Sequence, residues 1–263
     1  MLSPVSLGIP PFDKRFGGIY RNRATLCIGK HGSGKLPLAI YYLLKNIETE
    51  GPGLLLTTRR VEETTQLARA AGLDLPGLIQ SRRLWVRRYE DLLPDLTSVG
   101  PNILPPDGFA SFQELVAEYD IHRVVLDPVL PWVAISQEAQ LFQRIYSFLQ
   151  ALERMEVTVL LVLPHPVSAL AFALQNRVED QVPVVFSLQQ EPNGTHTLTP
   201  KRYLGQRELG SPMSLRFIPG IGFVDAVQAP QPPPPPLPPV PLNPPTSAAA
   251  AAADFPPAGY RWE

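Results

Sequence analysis

Cysteine is almost absent from this chain of 263 residues, which has only Cys27. A single cysteine excludes an intramolecular disulfide, and it excludes the cysteine-rich zinc sites and iron–sulfur clusters that need several thiolates. The four histidines are scattered without a recognisable metal-ligand spacing, and we expect His122 and His196 to lie on the surface. The composition therefore gives no sign of a resident metal cluster.

Long apolar runs and an excess of one charge are absent as well. The longest apolar runs, such as residues 157–163, are too short to span a bilayer, and the N-terminus lacks a basic segment followed by an apolar one. The net charge is -1, from 23 basic and 24 acidic residues, so overall charge favours neither nucleic acid nor an anionic membrane as a partner. We expect a soluble, cytoplasmic protein without membrane association.

Proline, in contrast, is abundant and unevenly distributed. The chain has 32 prolines, and 13 of them lie in the last 38 residues. Because proline lacks a backbone donor and fixes φ, we expect residues 226–263 to form a disordered tail that samples polyproline II conformations. Two roles fit such a tail: a spacer, or a ligand for the aromatic-lined groove of a protein partner, with Tyr260 and Trp262 docking beside it.

Strand-like and helix-like segments alternate in residues 1–225. Strands are predicted at 24–28, 53–57, 84–86, 123–126 and 157–163, and helices at 38–47, 61–71, 112–118 and 137–155. This alternation favours an α/β fold with a doubly wound, mostly parallel sheet. Two later runs flank Pro192-Asn193-Gly194, a hairpin signal, so we expect antiparallel strands at the C-terminal end of the sheet.

A glycine-rich loop joins the first of these strands to the helix after it. It reads Gly29-Lys30-His31-Gly32-Ser33-Gly34-Lys35-Leu36, which fits the P-loop pattern except at its last position. In a P-loop the backbone amides surround phosphates, and both the lysine and the helix N-terminus favour their negative charge. Residues 29–36 are therefore predicted to bind ATP or another nucleoside phosphate; a glycine-rich turn without a ligand is the alternative.

The last position of the loop bears on the metal. A serine or threonine hydroxyl would hold Mg²⁺ there, and Leu36 offers none. Pro37 is compatible with a helix that begins at this point, because amides of the first turn have no intrahelical acceptor. We expect the loop to bind phosphate but to bind Mg²⁺ poorly.

The segments around the loop resemble the KaiC and RadA branch of the RecA-like ATPases. The N-terminal motif Gly8-Ile9-Pro10-Pro11-Phe12-Asp13, followed by Phe16-Gly17-Gly18-Ile19, is similar to the family pattern T-G-I-P-x-L-D-x-x-x-G-G-G. The similarity extends over most of residues 1–225. It implies a RecA-like fold, an ATP site between subunits, and therefore a homo-oligomer or a mixed assembly with a related, active ATPase.

The resemblance also assigns roles to individual residues. Asp127 ends a strand similar to the Walker B strand, whose carboxylate orients Mg²⁺ in the family. Arg59 and Arg60 stand where the family carries a glutamate pair that orients the attacking water. Because arginine stays protonated at neutral pH, it cannot act as a general base, so this route to water activation should be lost. Either arginine is a candidate γ-phosphate contact that replaces the charge of Mg²⁺; solvated arginines or a subunit contact are the alternatives.

Weaker signals concern phosphate sensing and nucleic acid. His165 lies where relatives place a polar phosphate sensor, and residues 201–207 resemble, without the same spacing, a basic element that reaches a neighbour's nucleotide. Residues 82–88 hold four arginines around Leu84-Trp85-Val86, which favours either a nucleic-acid contact or a strand with solvated ends. Residues 128–140 have no basic residue and residues 164–182 only Arg177, which disfavours DNA binding through these loops.

The sequence as a whole favours a nucleotide-binding RecA/KaiC-like protein with slow or absent hydrolysis, in a regulatory or assembly role. One alternative is an active DNA-linked ATPase, in which Glu62 or Glu63 activates water and the arginine-rich strand holds DNA. These glutamates would otherwise only interact with the N-terminus of their helix. A second alternative is an interaction scaffold with a vestigial P-loop.

Overall fold

The computed structural model describes residues 3–45, 47–92, 106–129 and 138–227. The proline-rich tail lies outside these ranges except for its first two residues, so its disorder and its boundary at residue 226 stay predictions. No helix in the described ranges is long and apolar enough to cross a membrane.

Strands and helices alternate through most of the described chain. The strands are β1 (Pro4–Val5), β2 (Ile19–Tyr20), β3 (Ala24–Gly29), β4 (Gly53–Thr57), β5 (Leu84–Arg88), β6 (Arg123–Asp127), β7 (Thr158–Pro164), β8 (Val184–Gln190), β9 (His196–Tyr203), β10 (Met213–Ile218) and β11 (Gly222–Asp225). The helices are α1 (Pro10–Phe16), α2 (Lys35–Leu44), α3 (Ile47–Glu50), α4 (Val61–Ala70), α5 (Leu75–Gln80), α6 (Tyr89–Leu92), α7 (Pro106–Glu118), α8 (Glu138–Arg154) and α9 (Ala169–Gln181).

One large sheet organises these elements. Its strand order in the described chain is β11-β10-β9-β8-β3-β7-β6-β4-β5, with β1 and β2 paired separately. The six strands from β8 to β5 run parallel, and β9, β10 and β11 add antiparallel pairs on the other side of β8. The structure therefore confirms the predicted α/β fold with a mostly parallel sheet and antiparallel C-terminal strands.

The central strands are apolar because both faces of the sheet are covered. Every residue of β3, β4 and β6 is buried. Side chains on one face pack with α2, among them Cys27, Leu55, Val125 and Leu160. Those on the other face pack with α8, among them Leu26, Leu56, Leu126 and Leu161. One face of α8 is buried at Ile145, Phe148, Leu149 and Leu152.

The N-terminal motif is held together by one carboxylate. Asp13 accepts hydrogen bonds from the Ser6 hydroxyl at 2.6 Å and from the amides of Leu7 and Gly8 at 2.8 and 3.2 Å. Gly18, at φ +109°, must be glycine because a Cβ there would overlap the carbonyl of Val5. The motif thus fixes the turn that leads the chain into the sheet.

A buried ion-pair network anchors the amino end of β6. Arg123 is only 1 % exposed, and its Nε donates to a carboxylate oxygen of Glu50. The other oxygen of Glu50 accepts from Arg21 at 2.6 Å. Arg123 also donates to the carbonyls of Ser6 and Tyr42, at 3.1 and 3.0 Å. The network ties β6 to α2, α3 and the N-terminal segment.

Candidate functional site

The glycine-rich loop lies between the carboxyl end of β3 and the first residue of α2. Gly32 and Gly34 have φ of +78° and +89°, a conformation that favours glycine. A Cβ on Gly34 would lie 3.0 Å from Nε2 of His196 and 3.1 Å from the ring of Phe223. Among the described residues, nothing lies within 4 Å of a Cβ placed on Gly32, whereas the backbone at Gly34 packs against His196 and Phe223. An uncovered glycine lets the backbone amides approach a phosphate.

Lys35 is held by the loop itself. Its Nζ donates to the carbonyl oxygens of Gly29 at 2.7 Å and Lys30 at 2.5 Å, and it lies 3.4 Å from the Ser33 hydroxyl. Burial lowers the pKa of Lys35, and the cation of Arg59 lowers it further, while the carboxylate of Asp127 opposes both. The ammonium group lies within reach of the same loop that would surround a phosphate.

Asp127 forms an ion pair with Arg59. Nη1 of Arg59 lies 2.5 Å from Oδ2 of Asp127; the Asp127 side chain is 6 % exposed and that of Arg59 is 32 % exposed. The pairing follows from the sheet, because β4 and β6 are neighbours and Thr57 is in register with Asp127. The Thr57 hydroxyl also accepts from the Arg59 amide at 3.1 Å, which turns the chain back toward Asp127.

The neighbouring charged residues take other positions. Arg60 is exposed immediately before α4, where its carbonyl accepts from the amide and the hydroxyl of Thr64, both at 3.0 Å. Glu62 and Glu63 are exposed in the first turn of α4. None of these three side chains lines the cleft around the loop. Of the two arginines predicted as phosphate contacts, the structure brings Arg59 into the site.

A cleft of about 470 Å³ opens over the loop and has two chemically different ends. Lys35, Arg59 and Asp127 form the charged end. Leu67, Ala70, Ala71 and Phe217, from α4, its C-terminus and β10, form the apolar end. His31, Gly32, Ser33 and Gly34 of the loop also line the cleft. Such a cleft matches an anionic ligand that carries an apolar or aromatic group.

The residues present do not fit the Mg²⁺ ion of the P-loop pattern. Leu36 is 7 % exposed and belongs to the apolar core, so no hydroxyl is available at the metal position. Oδ2 of Asp127, the other expected metal partner, is engaged by Arg59. Across the described residues, no group of three or more His, Cys, Asp or Glu side chains is placed to hold a metal ion.

His165 lies on the other side of the loop. Its amide donates to the Gly29 carbonyl at 3.2 Å, and its ring contacts Phe172 edge-on, with 6.4 Å between centroids. It lines a separate cleft of about 180 Å³ together with Lys30, Gln175 and Lys201. The structure thus does not bring His165 into the larger cleft with Lys35 and Asp127.

The basic residues on β9 and β5 are engaged in local contacts. Arg202 donates to the carbonyls of Glu179 and Asp180 at the end of α9, at 3.2 and 3.1 Å. On β5, the Trp85 ring packs against Tyr119 with 3.9 Å between centroids and an angle of 31° between the planes, and the Arg87 guanidinium lies 5.2 Å from the Trp85 ring. The aromatic side chain of this strand, the one able to stack on a base, is therefore already in contact with another ring and a guanidinium.

Two aromatic contributions to the site were not predicted. Phe217 lines the cleft from β10, and Phe223 of β11 supports the loop beneath Gly34. The prediction that His196 lies on the surface is wrong: it is 6 % exposed beneath the same glycine, and burial lowers its pKa. The hairpin predicted after β8 and the apolar–polar alternation of residues 213–217 are the sequence signals that could have placed these residues on the sheet.

Comparison with known protein families supports the interpretation of residues 29–36 as a P-loop. A family model described as the KaiC ATPase matches residues 5–205, a range that includes residues 29–36, Arg59 and Asp127. No curated protein matches the chain. The match ends before β10 and β11, so the part of the cleft formed by Phe217 lies beyond it.

Proposed function

Because the chain belongs to the KaiC family of ATPases through residues 5–205, and is thus a nucleotide-binding RecA-like protein, we propose that it binds ATP but hydrolyses it slowly or not at all. In this proposal residues 29–36 surround the phosphates and Lys35 contacts them. The bound state, rather than turnover, carries the function, and the protein acts as a regulatory or assembly subunit.

The Arg59–Asp127 ion pair is the observation that carries the proposal. A water molecule must be deprotonated or oriented by a group within hydrogen-bond reach. Asp127 is the only carboxylate among the described residues that line the cleft, and its Oδ2 already accepts from Arg59. Arg59 itself cannot accept a proton at neutral pH. In this proposal Arg59 takes the place of a residue that would activate water, and it stabilises charge instead.

The apolar end of the cleft supports a nucleotide rather than a bare polyphosphate. Leu67 and Phe217 offer apolar surface to a base, while the loop amides and Lys35 offer positive charge to phosphates. Because both ends line one cleft of about 470 Å³, a single ligand with a base and phosphates is able to contact both.

Binding and turnover measured on the same protein test this proposal. We expect ATP to bind in equilibrium dialysis, Lys35→Ala to abolish binding, and Lys14→Ala, a change at an exposed lysine of α1, to leave it unchanged. Steady-state phosphate release is expected to stay near background. Phosphate release that depends on Mg²⁺ and disappears in Lys35→Ala would contradict the proposal, and absence of binding would favour the scaffold alternative.

The assembly role follows from the family, whose members place nucleotide between subunits. We propose a homo-oligomer or a mixed assembly with an active relative, stabilised by bound ATP. Analytical ultracentrifugation with and without ATP is expected to show a larger species with ATP. A sedimentation coefficient that ATP leaves unchanged would argue against this role without affecting the binding proposal.

The DNA-linked ATPase alternative receives less support. It needs Glu62 or Glu63 to reach the cleft, and both are exposed residues that do not line it. It also needs the Trp85 ring to accept a base, and that ring already packs against Tyr119. Turnover measured with single-stranded DNA is the direct test, and stimulation by DNA would restore this alternative.

A further inference from the structure

Two protein groups usually hold Mg²⁺ in a P-loop site; at the charged end of the cleft one of them is missing and the other is paired with an arginine. The loop position that would supply a hydroxyl is occupied by Leu36, which is buried in the apolar core. The carboxylate that would face the metal is Asp127, and Arg59 lies 2.5 Å from it. A cation is therefore already present where the metal would act, and it belongs to the protein.

Arg59 is fixed in this position by more than one contact. Its backbone is held by the Thr57 hydroxyl at 3.1 Å, and its guanidinium by Asp127. Asp127 is 6 % exposed, and a buried carboxylate is strongly destabilising without a partner. The ion pair therefore keeps the guanidinium beside the loop before any ligand arrives.

The guanidinium has donors left for a phosphate. Only Nη1 hydrogen-bonds to a side chain among the described residues, and the Arg59 side chain remains 32 % exposed toward the cleft that it lines. A planar guanidinium carries several N–H donors and matches phosphate oxygens in pairs. Arg59 is thus able to contact Asp127 and a phosphate at the same time.

We propose that this site binds nucleoside triphosphate without a divalent cation, and that Arg59, positioned by Asp127, supplies together with Lys35 the positive charge that Mg²⁺ supplies elsewhere. The proposal rests on the proposed function, because it concerns the same cleft. Asp127 changes its role from metal partner to positioning residue for Arg59. Metal-free ATP is then the ligand that the site is built to hold.

The wild-type protein provides the first test. Equilibrium dialysis with labelled ATP is carried out in excess EDTA and in excess Mg²⁺. We expect the two dissociation constants to differ by less than about threefold, well below the tenfold change that a single strong interaction produces. Binding seen only with Mg²⁺ would overturn this inference and leave the proposed function intact. Absence of binding in both buffers would overturn the proposed function, and the inference with it.

Variants of the two arginines assign the effect to one residue. Arg59→Ala is expected to weaken binding in EDTA by about tenfold or more, because a hydrogen bond to a charged group is lost. Arg59→Lys, which keeps the charge without the planar fork, should lose less. Arg60→Ala is the matched control, because Arg60 is the adjacent, exposed arginine that does not line the cleft. Equal losses in the Arg59 and Arg60 variants would contradict the assignment.

A gain of metal dependence is the sharpest consequence. In the double variant Arg59→Ala/Leu36→Thr, the carboxylate is released and a hydroxyl is supplied, so Mg²⁺ is expected to strengthen ATP binding by about tenfold or more. Leu36→Thr alone should stay insensitive to Mg²⁺ while Arg59 remains. Circular dichroism checks that each variant is folded. If Asp127→Asn, which keeps the shape of the side chain, removes a Mg²⁺ effect already present in the wild type, the proposal is wrong.

Discussion

Removing the buried carboxylate of Glu50 should destabilise the whole domain. Glu50 contacts Arg21 and Arg123 with its two oxygens, and the Glu50 and Arg123 side chains are 8 % and 2 % exposed. In Glu50→Ala the guanidinium of Arg123 stays buried and keeps only the carbonyls of Ser6 and Tyr42 as hydrogen-bond partners among the described residues. The substitution therefore leaves a buried charge without its counter-charge.

The expected loss in the free energy of unfolding is about 3–5 kcal/mol, the usual result of breaking a buried ion pair from one side. Glu50→Gln should lose less, because an amide oxygen still accepts one hydrogen bond. The double variant Glu50→Leu/Arg123→Met should recover much of the loss, since apolar residues of similar size often replace a buried pair without penalty.

Urea unfolding followed by circular dichroism measures these differences, provided that the slope of the transition is unchanged. Glu153→Ala is the control: Glu153 pairs with Arg23 at 2.7 Å, but both side chains are more than a third exposed. We expect that variant to lose about 0–1 kcal/mol. If Glu50→Ala costs no more than Glu153→Ala, the network does not anchor β6 and the reasoning fails.

Further predictions concern the cleft, a buried histidine and the single cysteine. Leu67→Gln, a neutral polar change at the apolar end of the cleft, should weaken binding of ATP but not of tripolyphosphate, whereas Val61→Gln on the same helix, outside the cleft, should change neither. Equal effects on both ligands would place the base elsewhere. Burial lowers the pKa of His196 below its ordinary 6.5, so on acidification the unfolded chain takes up the proton first. The free energy of unfolding should therefore fall as the pH drops below 6.5, and it should fall less in His196→Asn. Parallel pH profiles of the two proteins would contradict this. Burial also raises the pKa of the Cys27 thiol to about 12. A thiol reagent at pH 8 should therefore react at least about 100-fold more slowly with the folded chain than with the chain unfolded in urea. Rapid labelling of the folded chain would be inconsistent with the structure.

The central sheet could be predicted because its strands carry a strong pattern. β4 was predicted at its observed bounds, and β3 and β6 each extend one residue beyond the prediction. Strands buried on both faces are short continuous apolar runs, which few other segments of this chain resemble. The helix after the loop begins at Lys35 rather than at residue 38, because Pro37 fits the first helical turn.

Elements without such patterns were missed. α9 occupies Ala169–Gln181 in a region treated as a loop, since two prolines precede it and only the Ser168 hydroxyl, which accepts from the Ala171 amide at 3.2 Å, marks its start. The antiparallel strands β10 and β11 carry few buried residues, and the short apolar–polar alternation of residues 213–217 was not used to predict β10. Their contribution to the cleft, Phe217, was missed with them.

The site was only partly predictable for a related reason. The P-loop has a fixed spacing that a single sequence reveals, and the ends of parallel strands are where a ligand is expected. The ion pair between Arg59 and Asp127 requires that β4 and β6 be adjacent and in register. The two residues are 68 positions apart, and a single sequence does not show which strands of a sheet are neighbours. The roles of Arg59 as a phosphate contact and of Asp127 as a metal partner stay predictions, and the experiments above distinguish them.

The contacts of Lys35 determine how binding should be measured. Its ammonium group already has the carbonyls of Gly29 and Lys30 as partners, so a phosphate that takes the ammonium group must replace them. At Lys35, binding is then an exchange between two sets of polar contacts, and this residue adds only their difference to the heat released. The heat of binding therefore understates the contact that Lys35 makes, so a direct count of bound nucleotide is the sounder readout for this protein.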